Sequence, residues 1–169
     1  MLDSRRKPVT KKDRVSGMYP YYGANGVQDY VDGYLFDGEY LLVGEDGSVI
    51  NKDNSPVLTW AKGKIWVNNH AHVLQETQYA ILRYVYYFLQ TRDVSQVVRG
   101  TPPKLNQENL RAIKIAVPPL AEQERIVKIL DRFDKLCNDL TSGLPAEIAA
   151  RKKQYEYYRD KLLSFKRAG

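Results

Sequence analysis

Two histidines, His70 and His72, stand one residue apart and are the only histidines in the sequence. On a β-strand both rings would point to one face, which is an arrangement that can bind a metal ion. No cysteine lies nearby, and no third ligand follows at a recognisable spacing. The sequence therefore favours satisfied polar residues near a domain core over a metal site.

Acidic residues concentrate between positions 29 and 53, where seven of them occur, mostly beside turns. Carboxylates can hold a divalent cation, but this spacing shows no convergent set of ligands. The sequence also lacks a glycine-rich phosphate loop, a nucleophile elbow and a dinucleotide fingerprint. No catalytic site is therefore indicated, and a metal nuclease that uses both histidines and the acidic turns is the rival hypothesis.

The net charge of +6 is unevenly distributed along the chain. Residues 1–14 contain six basic and two acidic residues, whereas residues 29–53 contain seven acidic residues and one lysine. Residues 59–118 are basic again, with eight basic and three acidic residues. A basic surface can contact phosphates, and a solvated, mildly basic surface is the alternative.

Neither a membrane span nor a signal peptide is indicated, because no apolar run is long enough and the N-terminus is polar. The expectation is a cytoplasmic protein without membrane contact. The single cysteine, Cys137, cannot form an internal disulfide. Its position predicts a buried structural thiol.

The first half of the chain has the pattern of short strands joined by tight turns. Residues 1–14 are expected to be an extended or flexible arm. Residues 40–43 are the best candidate for a buried strand, and 57–61 and 64–68 predict two more strands around a Lys-Gly turn. The turn dipeptides are Asn25-Gly26, Asp32-Gly33, Asp37-Gly38 and Asp46-Gly47.

The middle of the chain predicts a buried helix, a loop and a strand. Apolar residues recur at helical spacing over 78–90. Residues 97–106 form a loop with one glycine and two prolines. A short helical turn is expected at 107–110, and the alternation of 113–117 predicts a strand.

Two long helices are predicted at the C-terminus, at about 119–140 and 146–166, each about 30 Å long. Prolines 118 and 119 end the preceding segment and are tolerated at a helix start. Apolar residues then recur at steps of four and three, which is typical of a coiled-coil seam that needs a partner. Periodicity leaves open whether the helices form a hairpin or continue one another. The seam residues are Ile126, Leu130, Phe133, Cys137, Leu140, Ile148, Tyr155, Tyr158, Leu162 and Phe165.

Four stretches of the chain resemble one half of a type I restriction–modification specificity subunit: 19–47, 67–74, 100–131 and 143–165. The most specific signature is the segment PPLAEQ with its helix, preceded by the loop GTPPKL, and the run GLPAEI with QYEYYRDKLL strengthens it. The resemblance implies an α+β fold. A turn-rich mixed α/β target-recognition domain (1–118) would precede two long C-terminal helices that form a coiled-coil-like spacer (119–169).

Such subunits usually carry two recognition domains, each reading one part of a split DNA site, whereas this chain has one. The resemblance therefore implies a half-subunit or a fragment. A second copy could supply the missing half, which gives a homodimer through the helical seam and a bipartite, inverted-repeat target. The alternative is a protein-binding decoy that competes for the methyltransferase without reading DNA.

The resemblance also implies that catalysis lies on other subunits. A methyltransferase subunit would use S-adenosylmethionine, and a restriction–translocase subunit would use ATP, so no cofactor and no metal are expected on this chain. The helices would also dock the methyltransferase. Candidate docking residues are Arg125, Lys128, Lys152 and Lys153.

Candidate DNA contacts follow from the chemistry of the side chains. Phosphates are contacted by Lys and Arg, whereas bases are read by planar or bidentate side chains in a groove. The candidates for phosphate contact are Arg5, Arg6, Lys7, Lys11, Lys12, Lys62 and Lys104. The candidates for base contact are Tyr22, Asn25, Arg92 and Arg99.

Overall fold

The structure, a computed structural model, describes residues 1–139 and 145–164, with side chains for 1–137 and 149–164. By its internal contacts the chain divides into two compact units. The first unit contains Met1–Glu76 and Arg92–Lys114, and the second contains Thr77–Thr91 and the chain from Ile115 onward. The predicted boundary after residue 118 differs from this division mainly in that the segment around 77–91 groups with the C-terminal helices.

A five-stranded mixed sheet forms the first unit. The strands are β1 Ser16–Gly23, β2 Gly26–Val31, β3 Phe36–Gly44, β4 Leu58–Val67 and β5 Ala71–Leu74. Their spatial order is β2-β1-β4-β3-β5. All neighbouring strands are antiparallel except β1 and β4, which are parallel. The Asn25-Gly26 turn joins β1 to β2 as predicted, and Gly26 has the positive φ of 99° that favours glycine in such turns.

The prediction of two short strands at 57–61 and 64–68 is wrong, because β4 runs through the Lys-Gly pair without a turn. Gly63 has a positive φ of 77°, and it pairs with Gly38 of β3, whose φ is 147°. Because both positions are glycines, which lack a Cβ atom, the hydrogen-bonded pairing of β3 with β4 continues through these two positive-φ conformations. The predicted turn at Asp37-Gly38 therefore also lies inside a strand.

One face of this sheet carries the hydrophobic core of the first unit. Burial of each large side chain stabilises the fold by about 1.5–3 kcal/mol. The strand residues of this core are Tyr22, Phe36, Tyr40, Leu42, Ala61, Ile65, Val67, Ala71 and Val73. The predicted buried strand at 40–43 thus lies in β3, and all four of its residues are buried.

Two short helices, α1 and α2, form near the predicted positions, and one predicted strand is absent. Helix α1 spans Leu82–Leu89 and helix α2 spans Gln107–Ala112. The Asn106 side chain caps α2 by accepting a hydrogen bond from the Asn109 amide at 2.8 Å. Residues 114–119 form an irregular connection, so the predicted strand at 113–117 is wrong. Apolar and polar residues alternate there as in a strand, but no described strand pairs with this segment.

Helices α3 and α4 belong to the second unit and span Leu120–Asp139 and Pro145–Leu163. Their contacts run in opposite directions along the two helices. Phe133 stacks on Tyr158 at a ring distance of 5.7 Å, while Leu163 packs with Ile126 and Leu130. Among the described residues, no helix combines the length and apolar character needed to cross a membrane.

Candidate nucleic-acid interface

The sheet face opposite this core, here called the outer face, is covered at Leu41, Val43 and His72 but carries polar and aromatic side chains along β1 and β4. Because side chains alternate along a strand, β4 sends Ile65 and Val67 to the core and Lys62, Lys64 and Trp66 to the outer face. Tyr21 of β1 pairs with Trp66 in parallel register and therefore lies on the same face. Residues 7–14 lie beside Trp66 and Tyr21 in this region.

The N-terminal arm is held to the sheet, so the flexible alternative in the expectation of an extended or flexible arm is wrong. The Leu2 amide donates to the Val73 carbonyl at 2.8 Å, and the Lys7 amide donates to that of Val67 at 3.2 Å. The Trp66 indole donates to the Lys7 carbonyl at 2.7 Å. These contacts hold the arm to β4 and β5 at Leu2 and Lys7.

Arg6 lies in a half-buried network and makes several hydrogen bonds. Its guanidinium donates to Glu45 Oε2 at 2.6 Å, to the Ala71 carbonyl at 2.8 Å and to the Asp3 carbonyl at 3.1 Å. Its side chain is only 12% exposed. A group satisfied in this way is not available to a phosphate, so we remove Arg6 from the candidate contacts.

His72 is fully buried next to this network and joins two distant parts of the first unit. Its Nδ1 lies 2.7 Å from Asp3 Oδ2, and its Nε2 donates to the Leu105 carbonyl at 2.8 Å. Asp3 Oδ1 also accepts from the Val73 amide, and Oδ2 accepts from Gln107. His72 is thus a structural residue, as the sequence predicted.

The Asp3 carboxylate is stabilised in its charged form. Burial opposes that charge, but the hydrogen bonds from His72 and the Val73 amide and the positive charges of His72 and Arg6 outweigh it. Together they lower the pKa of Asp3 from 3.8 to about 2. The Asp3 carboxylate links the arm to β5 through its contacts with His72 and the Val73 amide.

The second histidine, His70, pairs with Asp46, whose Oδ1 lies 2.5 Å from Nδ1. The two histidines are thus engaged by different carboxylates. Within the described part of the chain, no three His, Cys, Asp or Glu side chains are grouped so as to hold a metal ion.

Two tyrosines of β1 lie in the interior. Tyr22 is 8% exposed and packs in the core, and its burial, together with the neighbouring Tyr30, raises its pKa. Tyr21 is 1% exposed and lies under the arm, with the Arg14 guanidinium 4.2 Å from its ring centroid. Tyr22 consequently offers almost no surface to a DNA base, and we remove it from the candidates.

Three arm lysines, Lys7, Lys11 and Lys12, are exposed. None of them forms an ion pair with another described residue. Arg5 is exposed as well, although its guanidinium donates to the Leu35 carbonyl and lies 4.8 Å from the Phe36 ring centroid. These four exposed side chains are therefore the cations of the arm that remain available to contact a phosphate.

The other predicted contacts lie in several places of the first unit. Asn25 is exposed in the β1–β2 turn, and Lys62 is exposed but pairs with Glu39 at 3.0 Å. Lys104 lies 3.4 Å from Glu45, and its backbone pairs with that of Arg99. Arg99 and Lys104 thus share one loop, whereas Arg92 is half-buried after α1.

A set of side chains that the sequence analysis did not single out forms a continuous outer strip, which we define as Tyr19, Tyr34, Lys64 and Trp66. The rings of Tyr19 and Tyr34 are 5.2 Å apart, and the Lys64 ammonium lies 4.8 Å from the Tyr34 ring centroid. One sequence signal could have revealed the outer strip. Along residues 60–67, aromatic and basic residues alternate with small or apolar ones.

A groove of about 450 Å³ adjoins the outer strip. Its walls are formed by the arm, the end of β2 and the Trp66 indole. The polar groups that line it are Lys7, Thr10, Asp13, Arg14 and Asp32. Arg14 is already paired with Asp29 at 3.0 Å, and the hydrogen bond from Arg14 lowers the pKa of Asp29.

The predicted helical seam is divided between interior and surface. Ile126 and Leu130 are fully buried and pack against α1 within the chain. Phe133, Cys137, Tyr155 and Leu162 are half-buried, and Tyr158 is exposed. The chain by itself covers only part of the Cys137 thiol, and its complete burial in a helical seam stays a prediction. Leu140, Phe165 and the side chain of Ile148 lie outside the described residues.

A second surface groove, of about 420 Å³, lies along α3. Its apolar floor consists of Ile129, Phe133 and Leu136, and its basic rim consists of Lys128 and Arg132. Of the predicted docking residues, Arg125 pairs with Glu122 at 2.7 Å, whereas Lys128, Lys152 and Lys153 are exposed.

Comparison with known proteins decides the family. The model of the type I restriction modification DNA specificity domain matches residues 1–150. The chain belongs to the type I restriction–modification specificity family. The resemblance inferred from the sequence is thereby confirmed.

Individual relatives support the same assignment. A type I specificity subunit of Haemophilus influenzae is 44% identical over 169 residues, which cover 97% of this chain and 43% of that protein. The MpnII specificity subunit of Mycoplasma pneumoniae is 34% identical over 155 residues, covering 88% of this chain and 45% of the relative. The chain thus spans less than half the length of these relatives.

Solved structures share the fold. A chain from a type I restriction–modification complex superposes with a TM-score of 0.63 at 15% identity, covering 94% of this chain and 42% of the other. The specificity subunit of Mycoplasma genitalium superposes with a TM-score of 0.60 at 17% identity, covering 81% of this chain and 37% of the other. The expectation of a mixed α/β fold of the specificity-subunit type is confirmed.

Proposed function

We propose that this chain is a DNA sequence-specificity subunit that reads one half of a bipartite target and recruits methyltransferase subunits to it. The observation that carries the proposal is the family match over residues 1–150, which covers the whole first unit and most of the described helices. Methyl transfer and cleavage would lie on partner subunits, so the chain itself is proposed to have no catalytic role.

Contacts to DNA are assigned to the first unit. Its arm presents Lys7, Lys11 and Lys12 without an ion-pair partner among the described residues, and such groups bind phosphates with release of counterions. Arg5, Lys62, Lys104, Asn25 and Arg99 remain candidates because each is exposed. Arg92 remains one as well, although it is half-buried.

A homodimer is proposed through α3, as part of a helical spacer that holds two recognition units apart. Since Ile126 and Leu130 are used inside the chain, the groove floor of Ile129, Phe133 and Leu136 is the apolar surface left for a second copy. A two-fold dimer would present identical recognition units, which predicts an inverted-repeat target.

Binding measurements on the complex with its methyltransferase test the proposal. A library of randomised duplexes should yield one enriched motif, and the affinity for it should fall steeply with salt while the preference for the motif persists. Assembly with the methyltransferase without any sequence preference at any salt concentration would instead identify a decoy. Cleavage of DNA by the purified chain with magnesium alone would identify a nuclease.

A further inference from the structure

Exposed apolar side chains of the first unit concentrate on one region of its surface. The first unit is described in full, and it exposes Met1, Val15, Met18, Val27, Tyr30 and Tyr34. Five of these six side chains lie between residues 15 and 34, on β1, β2 and their flanks. Such a concentration on an edge hairpin marks an interaction surface.

The register of β1 and β2 separates these side chains onto two faces. Tyr19 pairs with Val31, and Pro20 pairs with Tyr30. Consecutive residues point to opposite faces, so Tyr30 lies on the core side of the sheet edge and Tyr19 lies on the outer face. Tyr34 stacks on Tyr19 and therefore belongs to the outer face as well.

The outer strip and the arm groove form one continuous surface. Trp66 belongs to the strip and also lines the groove. Gly33 lies so close to the indole that an added Cβ would come within 3.3 Å of it. The turn that carries Asp32 and Tyr34 is thus fixed against Trp66, and both side chains are exposed there.

Charges along this surface are mixed but leave a cationic excess. Lys7, Lys11, Lys12 and Lys64 have no ion-pair partner among the described residues. Three carboxylates face the same region without an ion pair among the described residues: Asp13, which accepts from the Thr10 hydroxyl, Asp32, and Asp37, which lies opposite Lys64 in the β3–β4 register. Arg14 with Asp29 and Lys62 with Glu39 form internal pairs.

We propose that the outer strip and the arm groove are the surface that contacts duplex DNA, with lysines on phosphates and with Tyr34 and Asp32 at base edges. Lysine ammonium groups without ion pairs among the described residues lie on both sides of the tyrosine and tryptophan rings, and such groups bind the phosphates of DNA. The Asp32 carboxylate lies between these lysines and can accept a hydrogen bond from the amino group of cytosine or adenine in the major groove. The core of a protein–protein interface, in contrast, is depleted of charged residues.

This inference rests on the proposed function, and its test is designed to separate the two. Wild-type chain in complex with its methyltransferase is first used to select a motif from randomised duplexes. Affinities are then measured for a duplex with that motif and for a scrambled duplex of the same composition. Absence of any motif would overturn the proposed function and this surface together.

Three substitutions address the two roles of the surface. Lys64→Gln should weaken binding to both duplexes by a similar factor and reduce the slope of log affinity against log salt by about 1. Tyr34→Ala and Asp32→Asn should each reduce the ratio of the two affinities about 5- to 100-fold.

Two matched controls come from the same unit. Tyr30→Ala removes an exposed ring of the same type that lies on β2, four residues before Tyr34, and on the other face. Lys52→Gln removes an exposed lysine from the turn that follows β3. Both controls should bind the two duplexes as the wild type does, and circular dichroism should show every variant folded.

The surface assignment would be overturned, with the proposed function intact, if the wild type selects a motif and the Lys64, Tyr34 and Asp32 variants all keep the wild-type affinity and preference. It would equally be overturned if these variants retained DNA binding in isolation but lost the methyltransferase, because the surface would then be a protein interface.

Discussion

At the scale of single residues, burial separates side chains that look equivalent in the sequence. Arg6 and Lys7 are adjacent and both basic, yet Arg6 is enclosed by Glu45 and the Ala71 carbonyl while Lys7 lines an open groove. The distinction depends on long-range contacts of the arm with β4 and β5. Sequence reasoning therefore found the basic arm but could not sort its members.

Asp3 is expected to be the residue that makes the arm sensitive to acid. Asp3→Asn should lower the free energy of unfolding by about 2 kcal/mol at pH 7, because the folded pKa is lowered from 3.8 to about 2. That contribution is present above the unfolded pKa and is lost as the pH falls toward 2. Urea unfolding of both proteins at pH 7 and at pH 2.5 measures it.

The control for this prediction is Asp37→Asn, since Asp37 is exposed on β3. It should change the free energy of unfolding by less than about 0.5 kcal/mol at either pH. An Asp3 variant that loses no more stability at pH 7 than this control would contradict the role given to the His72–Asp3 contact.

At the scale of elements, the segment PPLAEQ has a physical explanation in the second unit. Gln123 is fully buried, and its side chain accepts from the Ile81 amide at 2.9 Å and donates to the carbonyls of Tyr79 and Pro118, both at 2.8 Å. One glutamine thus fixes the start of α1 and the entry to α3. No local sequence pattern predicts these three hydrogen-bond partners of Gln123.

Gln123→Ala should destabilise the second unit by about 2–4 kcal/mol, because three backbone groups lose their partner in a buried site. Thermal and urea unfolding followed by circular dichroism measure the loss. Gln154→Ala, at an exposed position of α4, is the matched control and should cost less than about 0.5 kcal/mol. Equal stability of the two variants would show that the Gln123 contacts contribute little.

Short helices and buried strands were predictable at this scale because their signals are local. Helix α2 forms near the predicted turn at 107–110, and the apolar run at 40–43 lies in β3, as the sequence predicted. The continuous β4 was missed because Gly63 is matched by Gly38, which is 25 positions earlier in the chain. The strand at 113–117 was wrongly predicted because alternation alone does not supply a neighbouring strand.

At the scale of the whole molecule, the proposed dimer requires an apolar surface that the chain does not already use. Leu136→Glu should shift the chain toward monomers, since Leu136 is 41% exposed in the α3 groove. Sedimentation velocity over a dilution series measures the shift, and circular dichroism should show an unchanged fold. Ile126 is unsuitable for this test because it is buried within the chain.

Leu120→Glu is the control for the dimer prediction. Leu120 is 44% exposed on the same helix, and sixteen residues at about 100° each place it nearly opposite Leu136. The control should sediment as the wild type does. A Leu136 variant that remains dimeric, or a wild type that is monomeric at every concentration, would contradict a dimer through this face.

The central claim is that one recognition unit, used twice, reads a split DNA site. Its most direct test is to sequence methylated bases in a strain without other methyltransferases that expresses this chain and its methyltransferase as the only pair. The account predicts one new methylated motif made of two inverted half-sites with a spacer of fixed length. No new methylated motif, or a single uninterrupted and asymmetric one, would contradict it.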